Sequence, residues 1–176
     1  MEPEEDLASI VAAARAGSED AWRRLVEAHQ KTLIRLAWGL TGDRHLAADV
    51  AQETFVEAFV RIRQLRDDRA FGSWLWTIAV RTARRRRREP ALPAPEGVDE
   101  RTPEKELAGE ELRRAADRAL ASLAPLYREA LALAMDGKLS SAEAGKLLGC
   151  SAEAFRVRVH KARREVRRQL AGFLKE

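Results

Sequence analysis

The sequence predicts an all-α fold made of two small helical domains that are joined by a flexible linker. Apolar residues recur three and four positions apart in both halves of the chain, the spacing of amphipathic helices, and no strand-like alternation is evident. Four prolines and many acidic residues interrupt this pattern between 89 and 109, a composition typical of a linker. Hydrophobic residues make up 45% of the 176 positions, which supports a core in each domain.

The division of the chain follows from these changes in composition. The first 20 positions carry six acidic residues and one basic residue, and their few apolar residues keep the spacing of a short helix. The prediction is an acidic N-terminal lead-in at 1–19 and a first helical domain at 20–88. The acidic Pro-rich linker follows at 89–109, and a second helical domain covers 110–174.

The first domain is predicted to contain three helices. They cover about 20–40, 46–65 and 71–88. Asp20 is the expected N-cap of the first of them. The expected inner side of the second helix carries Val50, Phe55, Phe59 and Ile62. His29 is expected to be a packed core histidine, because no second ligand lies at the spacing that a metal site needs.

Two tryptophans lie two positions apart in the third helix. Trp74 and Trp76 cannot both point to the centre of the core, because positions two apart are separated by about 200° around a helix. At least one indole is therefore expected to be partly exposed. An exposed indole could stack on an unpaired base, or it could simply be a surface residue beside a core one.

Residues 140–169 are predicted to form a helix, a tight turn and a second, strongly basic helix. Gly149 suits the turn, and Ser151 is the expected cap of the second helix. The expected inner faces carry Leu139, Ala142, Leu147 and Leu148 in the first helix, and Phe155, Val159, Ala162 and Val166 in the second. A helix-turn-helix places such a second helix in the major groove. Two amphipathic helices also occur without DNA binding, and a basic face is often only solvated.

The charge is segregated although the net charge is only +4. Residues 81–88 carry six arginines and no acid, and residues 141–176 carry nine basic residues against four acidic ones. Two separate basic surfaces indicate a polyanionic partner.

Several function classes lack support in the sequence. No Ser-His-Asp set, metal cluster or phosphate-binding Gly loop is evident, so we expect no enzyme, cofactor or metal. The lone Cys150 excludes an intramolecular disulfide and suits a reducing compartment. The chain has no apolar run long enough to span a bilayer and no signal peptide, so we expect a cytoplasmic protein without membrane insertion.

Four motifs resemble those of bacterial RNA polymerase sigma factors of the sigma-70 family, in the small extracytoplasmic-function (ECF) group. Residues 47–55, AADVAQETF, resemble the A-E-D-L-x-Q-E-x-F signature, and residues 71–79, FGSWLWTIA, resemble F-x-x-W-L-x-x-I-A. Residues 123–129, LAPLYRE, are similar to the start of region 4, and residues 157–163, VRVHKAR, to its helix-turn-helix. The resemblance implies a region 2-like helix bundle and a region 4-like helix-turn-helix domain.

The resemblance implies roles for residues of the first domain. A polar face would dock on the β′ clamp helices of core RNA polymerase, and the connection at 63–70 with the following helix would meet the −10 element and hold a flipped base. The implied polymerase contacts are Asp49, Gln52, Glu53 and Phe55. The implied −10 contacts are Arg63, Arg66, Arg69, Trp74, Trp76, Arg81, Arg84, Arg85 and Arg88.

The second domain would contact the β flap and place the helix that begins at Ala152 in the major groove of the −35 element. The implied −35 contacts are Ser151, Glu153, Arg156, Arg158, Lys161, Arg163 and Arg164. Among them Glu153, Arg156 and Arg158 are candidates for base edges, and the last three for phosphates. The resemblance also implies an anti-sigma partner.

The chain departs from the family pattern at three places. Arg81 and Arg85 stand where the family usually has Asn and Asp, which adds positive charge and leaves −10 discrimination open. Residues 143–145 read EAG instead of E-I-A, and the mid-helix Gly145 is expected to weaken its helix by about 1 kcal/mol or more. Ala154 stands where Thr is frequent.

The leading hypothesis is a transcription initiation factor that binds core polymerase, directs it to −10/−35 promoters and assists melting. One alternative is a stand-alone helix-turn-helix regulator, which predicts a dimer that binds palindromic sites without polymerase. A second is a sigma-like protein that binds polymerase without initiating. A third is an interaction protein whose basic faces are only solvated, which strong salt dependence of DNA binding would contradict.

Overall fold

The structure is a computed structural model that describes residues 6–88, 107–137 and 139–173. Its helices are α1 (Leu7–Arg15), α2 (Glu19–Thr41), α3 (Arg44–Arg61), α4 (Phe71–Arg86), α5 (Leu107–Ser122), α6 (Pro125–Asp136), α7 (Ser141–Leu148) and α8 (Ala152–Gln169). These ranges contain helices and no strand, so the all-α prediction is confirmed. The chain forms two compact units, Met1–Arg88 and Glu89–Glu176. Most of the predicted linker, 89–106, lies outside the described residues.

The core of the first unit lies between α2, α3 and α4. Its largest fully buried side chains include Leu25, Phe71 and Trp76. His29 is buried among them: its Nδ1 lies 2.9 Å from the Leu25 carbonyl oxygen, and its ring meets that of Phe71 edge-on at 5.2 Å. The prediction of a packed histidine is therefore confirmed.

The N-terminus of α2 corrects the predicted cap. The Ser18 hydroxyl accepts a hydrogen bond from the Ala21 amide at 3.2 Å, and the helix begins at Glu19. Asp20 lies inside the first turn, where its charge favours the positive end of the helix dipole, and it pairs with Arg23 at 2.9 Å.

The predicted inner side of α3 is correct at two positions and wrong at Phe59. Val50 is fully buried and Ile62, just beyond the helix, is buried, but Phe59 is 55% exposed. Small residues take the inner side instead, among them Thr54, whose hydroxyl donates to the Val50 carbonyl oxygen at 2.6 Å. Small side chains let α3 pack closely on its neighbours, and the bulky ring is displaced to the rim of the core.

The acidic lead-in contains a helix that is part of the first unit. Val11 of α1 is fully buried. Arg15 at the end of α1 donates from Nη1 to the Leu65 carbonyl oxygen at 2.9 Å, and the same nitrogen lies 3.2 Å from Asp68. Because Leu65 and Asp68 belong to the connection between α3 and α4, α1 fixes the position of that connection.

The second unit is built from α5 to α8. Leu123, Leu131 and Ala162 form a buried cluster against which Leu120, Tyr127 and Val166 pack. Arg128 is buried, and its Nη1 lies 3.4 Å from the carbonyl oxygens of Ala121 and Leu123, at the end of α5. A cation at this position compensates the carbonyl groups that a helix end leaves unpaired.

The turn between α7 and α8 depends on close backbone contact. Gly149 ends α7 in the left-handed conformation, with φ 68°. Ala144 and Gly145 are buried, whereas Ala142 is exposed, so the inner face predicted for this helix is wrong at Ala142. A Cβ atom on Gly145 would lie 2.8 Å from the Cys150 carbonyl oxygen. The glycine that the sequence marks as a weak point in the helix is thus what lets the turn pack against it.

We therefore expect Gly145→Ala to destabilise the second unit, by about 1–3 kcal/mol, although alanine is the better helix former. The added methyl group would push the backbone at Cys150 away. Native-state hydrogen exchange of the α7 and α8 amides measures the change in free energy.

Ala142→Gly is the matched control, because Ala142 is exposed on the same helix. It should cost only the difference in helix propensity, about 1 kcal/mol. If the α7 and α8 amides of Gly145→Ala were protected as well as or better than those of the unmodified protein, the assignment of Gly145 to close packing would be wrong.

Candidate nucleic-acid interface

The outer face of α3 combines acidic, polar and apolar side chains. Asp49 and Gln52 are exposed, and Glu53 is half-buried. Steps of three and four residues continue this face to Val56 and Val60, both of which are exposed. Sequence reasoning missed the two valines, although their helical spacing from Glu53 was a usable signal. The face is therefore acidic at one end and apolar at the other.

Phe55, predicted with the polymerase contacts, lies on another side of α3. Its ring is half-buried and meets Trp22 of α2 edge-on, with 6.4 Å between ring centroids. The ring of Phe59 approaches the same tryptophan at 5.2 Å. Phe55 thus helps to hold α3 on α2 and offers only part of its ring to a partner.

Ion pairs join the acidic end of the α3 face to the arginines of α4. Arg85 Nη2 lies 2.9 Å from Glu53 Oε2, and Arg86 Nε lies 3.3 Å from Glu53 Oε1. Arg86 Nη2 also lies 3.4 Å from Asp49 Oδ2. The sequence gives no signal for these pairs, because the partners are far apart in the chain. The paired side chains are partly exposed, so each pair stabilises the fold by about 1 kcal/mol or less.

The connection between α3 and α4 presents three exposed arginines, Arg63, Arg66 and Arg69. Its backbone is constrained by the Asp67 carboxylate, which accepts a hydrogen bond from the Arg69 amide at 3.0 Å. Together with the contacts that Arg15 makes to this connection, the turn holds the exposed arginines on a fixed backbone.

One side of α4 carries an aromatic residue and several arginines. Trp74 is half-buried and packs against the ring of Phe71, with 6.0 Å between centroids. Steps of seven and four residues place Arg81 and Arg85 along the same side, and Arg88 follows three residues later, just beyond the end of α4. Arg84 is half-buried beside them. The four positions Trp74, Arg81, Arg85 and Arg88 are called the α4 stripe below.

The structure corrects the placement of Trp76 among the −10 contacts. Its side chain is fully buried, and its ring meets that of His29 edge-on at 6.2 Å. It points away from the α4 stripe because two positions separate it from Trp74. The expectation that at least one of the two indoles is partly exposed is confirmed, and the exposed one is Trp74.

α8 buries one side and exposes the others. Phe155, Val159 and Ala162 are buried, as predicted. Of the seven predicted −35 contacts, only Arg158 is half-buried. The other six are exposed, namely Ser151, Glu153, Arg156, Lys161, Arg163 and Arg164. The Ser151 hydroxyl also caps the helix, accepting from the Ala154 amide at 3.1 Å, as predicted.

The cap of α7 is a reciprocal pair of hydrogen bonds. The Ser140 hydroxyl accepts from the Glu143 amide at 3.2 Å, and the Glu143 carboxylate accepts from the Ser140 amide at 2.8 Å. The hydrogen bonds from the Ser140 hydroxyl and amide lower the pKa of Glu143 below its ordinary 4.5. Sequence reasoning missed this capping box, although Ser followed by Glu three residues later is its usual signal.

The far end of α8 carries an ion pair of its own. Arg168 Nη2 lies 2.6 Å from Glu165 Oε1, and Gln169 donates to the same oxygen at 2.9 Å. These hydrogen bonds lower the pKa of the Glu165 carboxyl to about 2. The charge of Arg168 is therefore already matched by a carboxylate on its own helix.

Two other kinds of site find no support in the part of the chain that the structure describes. It contains no group of three or more His, Cys, Asp or Glu side chains that could hold a metal ion. Among the same residues, no helix has both the length and the apolar character needed to cross a membrane.

Residues 25–91 match the family Sigma-70 region 2, and residues 113–166 match the family Sigma-70, region 4. The chain belongs to the sigma-70 family. A match in each unit excludes the stand-alone helix-turn-helix regulator, because that alternative has no region 2. Sigma regions 2 and 4 bind RNA polymerase and promoter DNA, and sigma factors as a class are not enzymes.

Curated relatives assign the sigma factor to the ECF group. This chain is 27% identical to the ECF RNA polymerase sigma factor SigW of Bacillus subtilis, over 89% of this chain and 92% of SigW. It is 34% identical to the ECF RNA polymerase sigma factor SigE of Mycolicibacterium smegmatis, over 86% of this chain and 62% of SigE. The protein is therefore a transcription initiation factor of the ECF group.

Solved structures show the same fold. CnrH, in complex with the cytosolic domain of CnrY, is 27% identical, with a TM-score of 0.66 over 94% of this chain and 97% of CnrH. The sigma factor RpoE of Bartonella quintana, in complex with the anti-sigma factor NepR, is 21% identical, with a TM-score of 0.62 over 90% of this chain and all of RpoE.

We expect hydrogen-exchange protection of the amides in the first turn of α7 to fall at acid pH, because the Glu143 carboxylate that caps this turn becomes protonated. Because the pKa of Glu143 is lowered in the folded chain, the unfolded chain binds more protons as the pH falls. The stabilisation is complete above the ordinary value of 4.5 and is lost as the pH falls through the lowered pKa. Hydrogen-exchange protection factors measured across this range should show the loss.

Glu143→Gln should remove most of this pH dependence, since glutamine can keep one hydrogen bond but does not titrate. Glu153→Gln on α8 is the matched control and should leave the pH dependence of α7 unchanged. An unchanged pH dependence in Glu143→Gln would contradict the role of the carboxylate.

Proposed function

We propose that the first unit docks on core RNA polymerase through the outer face of α3 and meets the −10 element through the α4 stripe and the preceding connection. The second unit meets the −35 element through α8. One observation carries the proposal: each unit has a helix that buries one side in its own core and turns basic side chains outward on the other.

The α3 face supports docking to the β′ clamp helices. Asp49, Gln52 and Glu53 offer charge-assisted contacts to basic groups, and Val56 and Val60 add apolar surface next to them. Exposed apolar side chains in line with polar ones are typical of a surface that a protein partner covers. The interface would thus extend about two turns beyond Glu53, the last predicted residue on this face.

The α4 stripe supports capture of melted −10 DNA. The exposed part of Trp74 provides a surface on which a flipped base can stack, and Arg81 and Arg88 lie on the same side to hold phosphates. Arg63, Arg66 and Arg69 would add phosphate contacts from the connection. Capturing unpaired bases shifts the equilibrium towards the open promoter, because the cost of unstacking is offset by new contacts.

Arg85 would act in a different way from its neighbours. Its ion pair with Glu53 holds the guanidinium on the stripe but reduces the positive charge available to phosphate. The departure of Arg85 from the family pattern therefore adds less DNA affinity than the sequence alone indicates. Arg81 is exposed and carries most of the added charge.

Reading of the −35 element would use the first turns of α8. Ser151, Glu153 and Arg156 lie at its N-terminal end, where a recognition helix meets base edges. Lys161, Arg163 and Arg164 follow further along and would hold phosphates. Arg158 is half-buried on the flank of α8, so a phosphate contact suits it better than the base contact predicted from the sequence.

Further parts of the proposal concern partners, catalysis and location. The second unit would also contact the β flap of polymerase. The solved relative CnrH is bound to the cytosolic domain of CnrY, and RpoE to an anti-sigma factor, which supports an anti-sigma partner for this chain. The protein would act in the cytoplasm, where polymerase is, without a catalytic residue or cofactor of its own.

Run-off transcription with core polymerase and a library of −10/−35 templates tests the proposed function. New, sequence-dependent transcripts are expected when the protein is added. Asp49→Ala with Gln52→Ala should reduce them through lost core binding, whereas Glu27→Ala, on the exposed side of α2, should not. Core binding without transcripts would favour the sigma-like protein that does not initiate, and absence of both would overturn the proposal.

The salt dependence of promoter binding tests the phosphate contacts of α8. Each lost phosphate contact should lower the slope of log K against log salt by about 1. Lys161→Gln, Arg163→Gln and Arg164→Gln should each weaken holoenzyme binding to all promoter sequences alike. Fluorescence anisotropy of labelled promoter, measured at several salt concentrations, gives the slope.

Arg168→Gln is the matched control, because Arg168 is engaged by Glu165 at 2.6 Å. Its slope should remain that of the unmodified protein. A slope that fell equally in Arg168→Gln and in the three test variants would show that general charge, and not the positions on α8, determines binding.

A further inference from the structure

The outward side of α8 has an apolar residue at its centre. Val157 is 47% exposed and is the only large apolar side chain classed as exposed along α8, all of which is described. Helical geometry places it about opposite the buried side, which Phe155, Val159 and Ala162 form. If α8 enters the major groove with its core side turned away, Val157 points at the floor of the groove.

The neighbours of Val157 are charged. Glu153 lies one turn before it, Lys161 one turn after and Arg164 two turns after, and all three are exposed. Val157 is also within the first two turns of α8, the part of a recognition helix that reaches base edges. The sequence analysis assigned DNA contacts to the charged residues around Val157 and included the valine only in the motif at 157–163, without a contact role.

We propose that Val157 reads a thymine in the −35 element by packing against its 5-methyl group, an inference that rests on the proposed function. Thymine is the one standard base that presents a methyl group in the major groove. Valine can neither donate nor accept a hydrogen bond, so it gains free energy only by covering apolar surface. A cytosine at the same position would lack the methyl group, and an adenine or guanine would place polar atoms against the valine without a partner.

The proposal assigns different chemistry to adjacent bases. Glu153 can accept a hydrogen bond from a cytosine amino group, and Arg156 can donate to a guanine. Val157 follows Arg156 directly and lies one turn after Glu153 on the outward side, so the thymine would be part of the same short element. Base identity at this position would be set by a methyl contact and at its neighbours by hydrogen bonds.

The test uses the full chain bound to core polymerase and a −35 sequence that this holoenzyme selects from a duplex library. Each thymine of the selected element, on either strand, is replaced singly by deoxyuridine, which lacks only the methyl group. One replacement should weaken binding about fourfold, the factor that corresponds to burying one methyl group. In Val157→Ala the same replacement should have no effect.

Two controls separate this contact from other effects. Val157→Ala should fold normally, because the side chain is exposed and alanine favours helix, and circular dichroism checks this. Arg163→Ala should weaken binding to every template yet keep the fourfold response to deoxyuridine. Replacement of thymines outside both the −35 and the −10 elements should change nothing.

The outcomes distinguish the inference from the function on which it rests. A deoxyuridine effect that disappears only in Val157→Ala supports the methyl contact. If a −35 sequence is selected but no replacement matters, or the effect persists in Val157→Ala, the inference is overturned and the proposed function stands. If the holoenzyme selects no −35 sequence, both are overturned.

Discussion

The structure depends on a simple constraint: a helix that packs one side into a core can offer only its other sides to a partner. Buried residues occupy most of the circumference of α4 along the stretch from Phe71 to Ala83, so only a narrow stripe of the helix is exposed. In α8 the buried side is smaller, and the exposed surface is correspondingly broad. The hydrophobic burial that holds each unit together therefore also decides which side chains are available to DNA and polymerase.

The electrostatic contacts are weak by comparison, and this suits arginines that are proposed to meet phosphates. The pairs of Glu53 with Arg85 and Arg86 are partly exposed and contribute about 1 kcal/mol or less each. A phosphate oxygen makes charge-assisted hydrogen bonds of similar or greater strength. In the proposed function Arg85 would exchange the Glu53 carboxylate for a phosphate with little loss of stability, because the buried core around Trp76 does not depend on this ion pair.

Much of the fold was predictable because periodic apolar residues carry strong information. The all-α class, the inner side of α8 and the packed His29 all follow from helical spacing. Helical spacing does not predict how large a side chain fits between two helices. α3 packs closely through Thr54 and other small residues, so Phe59 lies at the rim of the core. It also left open which of Trp74 and Trp76 faces the core. The pairing of Glu53 with Arg85 depends on how α3 lies against α4, which no local pattern encodes.

The contacts of Arg15 bear on where a fragment of this protein can begin. The family match starts at residue 25, but the first unit extends further towards the N-terminus. A fragment cut at that boundary would lack α1, uncover the core where Val11 is buried and leave the Leu65 carbonyl and Asp68 without their cation. The first compact unit is thus larger than the region that defines the family, and its first helix supports the surface proposed to meet the promoter.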